Sequence, residues 1–171
     1  MQTIMEMYEI ICDEIEKILK DSKLAAPILN LHLPKRAKFE RYLQSVLAYQ
    51  LKTTYVDTEI EKEYPNNNNS HVDIFSNGTY IELKTPNTNY TLPEIVKDKN
   101  VAITDNINGI IEDIKKLQEA RVKKGVVAFV LFPIDNDGKY KYHVDRVKQE
   151  LGSNSFKDCI VDRFYIFSAK V

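Results

Sequence analysis

The pair Asn77-Gly78, set between alternating stretches in HVDIFSNGTYIELKT (71–85), constrains this chain more than any other feature. Asn and Gly tolerate the positive φ that both central positions of a type I′ turn require, so the pair closes a two-residue hairpin. The register follows, with Ser76 opposite Thr79, Phe75 opposite Tyr80, Ile74 opposite Ile81, Asp73 opposite Glu82, Val72 opposite Leu83 and His71 opposite Lys84. Alternation places Val72, Ile74, Ile81 and Leu83 on one face, and His71, Asp73, Phe75, Tyr80, Glu82 and Lys84 on the other. Two carboxylates then face each other. At ~5 Å and an effective dielectric of ~20 their repulsion is on the order of 3 kcal/mol, against the ~5–15 kcal/mol that holds a domain together. A bound cation, the Lys84 ammonium or protonation of one acid can offset it; splaying of both acids into water is the bland alternative.

The remaining 156 positions read as one α/β domain, since 171 residues suffice for a single buried core. Ile4, Tyr8, Ile11, Ile15, Ile18 and Leu19 recur at helical spacing and predict a helix over 3–20 with an acidic outer face. After Pro34, Phe39, Leu43, Val46, Leu47 and Leu51 predict a second helix over 35–52, with Glu40 at the margin of its apolar stripe. TEIEKEYP, 58–65, is read as a strand ended by Pro65, and the asparagines 66–69 as a loop. TPNTNYTLPEIVKDKN after the hairpin is a long polar connection of the kind that often carries function.

A helix near 105–123 is predicted from Ile107, Ile110, Ile111, Ile114 and Leu117, with Lys115, Lys116, Arg121, Lys123 and Lys124 toward solvent or its C-terminal part. VVAFVLFPI, 126–134, is a continuous β-branched and aromatic run, the mark of a central strand buried on both faces. Asp135-Asn136-Asp137-Gly138 is read as a turn into a strand YKYHV, followed by a short helix at 145–151 and a last strand near 161–169. Residues 1–34 thus form an N-terminal helical extension, 35–135 the core, and 136–171 C-terminal strands with a short helix.

Charge narrows the function classes. The formal net charge of −1 excludes a histone-like, tail-driven nucleic-acid binder. Residues 1–83 hold 9 Lys/Arg against 13 Asp/Glu, and residues 84–171 hold 15 against 12, so the halves carry −4 and +3. Cys12 and Cys159 lack metal-binding spacing. No signal-peptide pattern and no membrane-length apolar run occur, which predicts a cytoplasmic, reducing setting and no membrane partner.

With an acidic helix before it and a helix then a buried strand after it, the series Asp73, hairpin, Glu82-Leu83-Lys84 resembles the PD-(D/E)XK nuclease superfamily. The match runs from about 35 to 135, although Val72 stands where the family's name has proline. The resemblance implies a restriction-endonuclease-like mixed β-sheet flanked by α-helices, and a Mg²⁺- or Mn²⁺-dependent endonuclease acting on double-stranded DNA, expected as a homodimer. It also implies that Asp73, Glu82, the Leu83 carbonyl and the helical acid Glu40 hold the metal, since hard cations prefer such oxygens. Lys84 would hold or deprotonate the attacking water and stabilise developing charge. Lys35, Arg36, Lys38 and Arg41 form a candidate phosphate clamp at a helix N-terminus, where the macrodipole disfavours cations. An RNA or repair nuclease of the same fold, and a non-catalytic nucleic-acid-binding or assembly module, remain as alternatives.

Overall fold

The turn forms as the sequence demands. In a computed structural model of the chain, Asn77 and Gly78 have φ of 49° and 72°, and Ser76, Phe75 and Ile74 pair with Thr79, Tyr80 and Ile81 in the expected register. The structure describes residues 5–25, 36–65, 67–88 and 103–171; the side chains of 36–38 and 67–69 are outside it. The Asp57 carboxylate accepts the Asn77 and Gly78 amides at 2.9 and 3.2 Å, supplying the partners that a tight turn leaves over.

Among the described residues, four helices and six strands follow in the order α1 (Met7–Lys20), α2 (Arg36–Lys52), β1 (Glu59–Tyr64), β2 (Asn67–Ser76), β3 (Thr79–Lys84), α3 (Ile103–Glu119), β4 (Gly125–Leu131), α4 (Tyr140–Leu151), β5 (Phe156–Val161) and β6 (Phe164–Lys170), with a helical turn at 22–25. The strands form one sheet in the order β1-β2-β3-β4-β6-β5. Only β3 and β4 run parallel; every other neighbouring pair is antiparallel. The fold is therefore mixed α/β with a six-stranded mixed sheet.

Helices cover both faces. Ile11, Ile15 and Ile18 of α1 and Phe39, Leu43 and Leu47 of α2 pack with Ile74, Ile81, Leu83, Ala128 and Ile166 on one side. Ile107, Ile110 and Ile114 of α3 and Val144 and Val147 of α4 pack with Val127, Phe129 and Phe167 on the other. All seven β4 residues are buried, as expected for a strand covered by both layers.

Four expectations are corrected. The asparagines 67–69, expected in a loop, open β2, with Asn67 paired to Tyr64. YKYHV opens α4, because Asp135 accepts the Lys139 and Tyr140 amides at 2.9 and 3.3 Å and so caps a helix that begins at Tyr140, not 145. After that helix comes a β5–β6 hairpin, where a single strand near 161–169 was expected. Val72 packs with Tyr64 and the α3 layer, not with Ile74 and Ile81; alternation breaks at Asp73, where β2 leaves β3. Among the described residues no helix is long and apolar enough to cross a membrane.

Gly78 has open space around its α-carbon, so a side chain there costs backbone strain alone. Gly78→Ala is expected to remove about 1–2 kcal/mol and lower the thermal midpoint by roughly 2–8 °C, read by a circular-dichroism melt.

Candidate metal-binding and active site

The site begins where the hairpin opens. Its last paired residues are Ile74 and Ile81, beyond which β2 stays with β1 and β3 runs beside β4, pairing Lys84 with Phe129. Asp73 bridges the opening: its Oδ2 accepts the Leu83 amide at 2.8 Å. The Gln44 side chain donates to the Asp73 carbonyl at 2.7 Å, tying α2 to the same point. One turn of α2 earlier, Glu40 Oε2 accepts the Thr85 amide at 3.1 Å. Two carboxylates from different elements therefore grip the amides of Leu83, in β3, and Thr85, just past its end, on either side of Lys84. Residues 73, 82, 84 and 40, singled out from the sequence, converge on one strand end.

Glu82 is the most enclosed of them, 2 % exposed. Its Oε1 accepts the Tyr64 hydroxyl at 2.5 Å and the Lys116 ammonium at 2.7 Å. Burial and the nearby Asp73 charge raise its pKa to about 7, against the opposing pull of Lys116 and Tyr64. Lys84 does not neutralise Glu82, as the sequence allowed; it pairs with Asp113 of α3 at 3.3 Å. Burial alone would lower the Lys84 pKa, but Asp113, Glu40, Asp73 and Glu82 together hold it above its ordinary value. Lys84 is thus kept as an ammonium. Burial raises Asp113 in turn, with Lys84 and Lys116 working against the shift.

Tyr64, Asp113 and Lys116 were not legible as site residues. The helical pattern places Lys116 toward solvent or the C-terminal part of its helix, yet it reaches inward to Glu82, to the His71 carbonyl at 3.2 Å and to the Tyr64 ring, whose centroid lies 5.0 Å away. The only signal was the i, i+3 spacing of Asp113 and Lys116 beside the inward Ile110, Ile114 and Leu117. His71 itself lies 3.8 Å from Glu63 at the surface. Of the proposed phosphate clamp, Lys35 lies outside the described residues, Arg36 and Lys38 sit in the first turns of α2 with undescribed side chains, and exposed Arg41 pairs with Glu61 at 3.3 Å.

The donor chemistry suits a hard cation. Asp73 Oδ1 and Glu82 Oε2 accept no hydrogen bond among the described residues, and the carboxyl groups of Asp113, Glu40, Asp73 and Glu82 outnumber the ammonium groups of Lys84 and Lys116. No group of three or more His, Cys, Asp or Glu is gathered into a ready-made metal cage among the described residues. The residues fit a divalent ion in charge and atom type, with the remaining ligands left to water and substrate.

The Glu82 shift has a thermodynamic sign. Because its folded pKa of about 7 exceeds the ordinary 4.5, the folded state keeps a proton that the unfolded chain has released, and stability falls as pH rises across that window. The full difference is about 3 kcal/mol. In metal-free buffer, urea unfolding at about pH 4 and pH 8 is expected to show that loss in the wild type relative to Glu82→Gln. Parallel pH profiles for the two proteins would refute the shift.

Comparison of the chain with protein-family models, with curated proteins and with solved structures yields no match.

Proposed function

We propose that the protein is a divalent-metal-dependent endonuclease of PD-(D/E)XK type acting on DNA. The observation that carries the reading is the convergence of Asp73, Glu82, Lys84 and Glu40 at the point where β2 and β3 part. The sheet supports it as well: a helix, an antiparallel three-strand run, a crossover helix and a central parallel strand, α2-β1-β2-β3-α3-β4, surround the acids in the order the resemblance implies.

Asp73 and Glu82 would hold Mg²⁺ or Mn²⁺, which supplies charge neutralisation on the phosphate and a readily ionised water. The protein's own groups do the rest. Asp73 and Glu40 fix the end of β3 and the residue after it through the amides of Leu83 and Thr85, so the Lys84 side chain projects from backbone clamped on both sides. As an ammonium, Lys84 orients the attacking water and stabilises charge growing on the phosphate oxygens. Tyr64 holds one Glu82 oxygen, and the other accepts no hydrogen bond among the described residues.

A non-catalytic nucleic-acid-binding module is favoured by one observation, the Lys116–Glu82 pair, which already offers the acid a counter-ion. Incubation of supercoiled plasmid with protein and Mg²⁺ decides between them. Nicking or linearisation by the wild type, lost in Asp73→Asn, supports the nuclease; asparagine is chosen because its carbonyl can still accept the Leu83 amide. DNA retention without cleavage by both proteins supports the module.

A further inference from the structure

Lys116 makes an unusual set of contacts for a helix-surface lysine. Its ammonium bonds Glu82 Oε1 at 2.7 Å and the His71 carbonyl at 3.2 Å, and it stands 5.0 Å from the Tyr64 ring centroid. The three contacts come from β3, β2 and β1 respectively, so one α3 side chain closes over the splay from above. The partners differ in exposure: the Glu82 side chain is 2 % exposed, whereas that of Lys116 is 35 % exposed. A buried acid is thus met by a cation on a flexible stem with water at its back, free to swing away without moving the helix.

We propose that Lys116 is a tethered competitor for the metal site: it neutralises Glu82 in the metal-free protein and is displaced when a divalent cation binds. The inference rests on the metal-binding reading of Asp73 and Glu82 given above. Its physical ground is charge. A cation bound between Asp73 and Glu82 would lie within a few ångströms of the ammonium, and two positive centres so close repel strongly in a partly enclosed site. The lysine must therefore leave Glu82. Tyr64 has no such conflict, since its hydroxyl donates to the carboxylate in either state.

Competition lowers apparent affinity by the fraction of molecules open to the metal. If the Lys116-closed form makes up about nine-tenths of the population, removing the ammonium tightens metal binding about ten-fold. A purely structural salt bridge behaves otherwise: its loss lowers stability and leaves metal affinity unchanged or weaker.

Titration calorimetry with MnCl₂ alone, and melts with and without Mn²⁺, separate these cases in the wild type, Lys116→Met, Lys116→Arg and Asp73→Asn. The expected result is Mn²⁺ binding about ten-fold tighter in Lys116→Met, a lower melting temperature in metal-free buffer that Mn²⁺ restores, and wild-type behaviour in Lys116→Arg. Should Lys116→Met fail to fold, Lys116→Gln, which keeps an N–H donor without the charge, gives the same readout. Equal or weaker Mn²⁺ binding in the uncharged variant, with binding intact in the wild type and lost in Asp73→Asn, overturns the competitor role and leaves the metal site standing. Absence of Mn²⁺ binding in every protein overturns both.

Discussion

Lys84→Met is expected to slow plasmid nicking by about two to three orders of magnitude, with its thermal midpoint within a few degrees of wild type. The loss is kinetic because the Lys84 side chain is 31 % exposed and methionine replaces most of its stem. Its partner Asp113, whose pKa burial already raises, can take up a proton once the ammonium is gone. The surrounding carboxylates sharpen the prediction. They hold Lys84 protonated, so its contribution is charge and orientation, not proton abstraction. Lys84→Arg, permanently cationic, should recover part of the rate. A Lys84→Arg protein as inert as Lys84→Met, with Mn²⁺ binding retained, would argue instead for a base that must lose its proton.

The second large effect is expected beneath the same residue. Phe129 is fully buried, stacks on Phe167 at 4.9 Å and is the cross-strand partner of Lys84. Phe129→Ala should cost about 3–5 kcal/mol, from lost transfer energy and the cavity left behind, and lower the melting temperature by roughly 6–20 °C. Nicking should fall at temperatures where the variant is still folded, because the strand that seats Lys84 loses its support from β4. Denaturant titration gives the first number and a plasmid assay well below the midpoint gives the second. A stability loss under about 1 kcal/mol would mean that the core collapses to fill the space.

The parts of the site visible in the sequence were those set by local chemistry. Asn77-Gly78 determined the register, and the register brought Asp73 toward Glu82 without any knowledge of the rest of the chain. Glu40 was singled out through the resemblance, which calls for a helical acid; its place at the margin of the Leu43 and Leu47 stripe is by itself a weak signal, since such acids usually turn outward. Tyr64, Asp113 and Lys116 were not visible, since their meaning depends on how β1 and α3 lie across the splay, which no short window encodes. The same limit explains Val72: period-two alternation assumes an unbroken ladder, and Asp73 breaks it by accepting the Leu83 amide through its side chain. The aromatic and β-branched content of YKYHV suggests a strand, whereas the Asp135 carboxylate accepts the amides that open a helix there.

The sheet order carries a consequence for how the protein is made. β6 is the last of the six strands in sequence, yet it lies between β4 and β5. Strands laid down earlier, including the one bearing Glu82 and Lys84, emerge from the ribosome before the sheet can be completed. The hairpins can close within microseconds of emergence, but β4 keeps an open hydrogen-bonding edge until Phe164–Lys170 arrives to fill it. Assembly must finish after translation has passed that point, and a stop codon before Phe164 would remove an interior strand, leaving a chain inclined to aggregate.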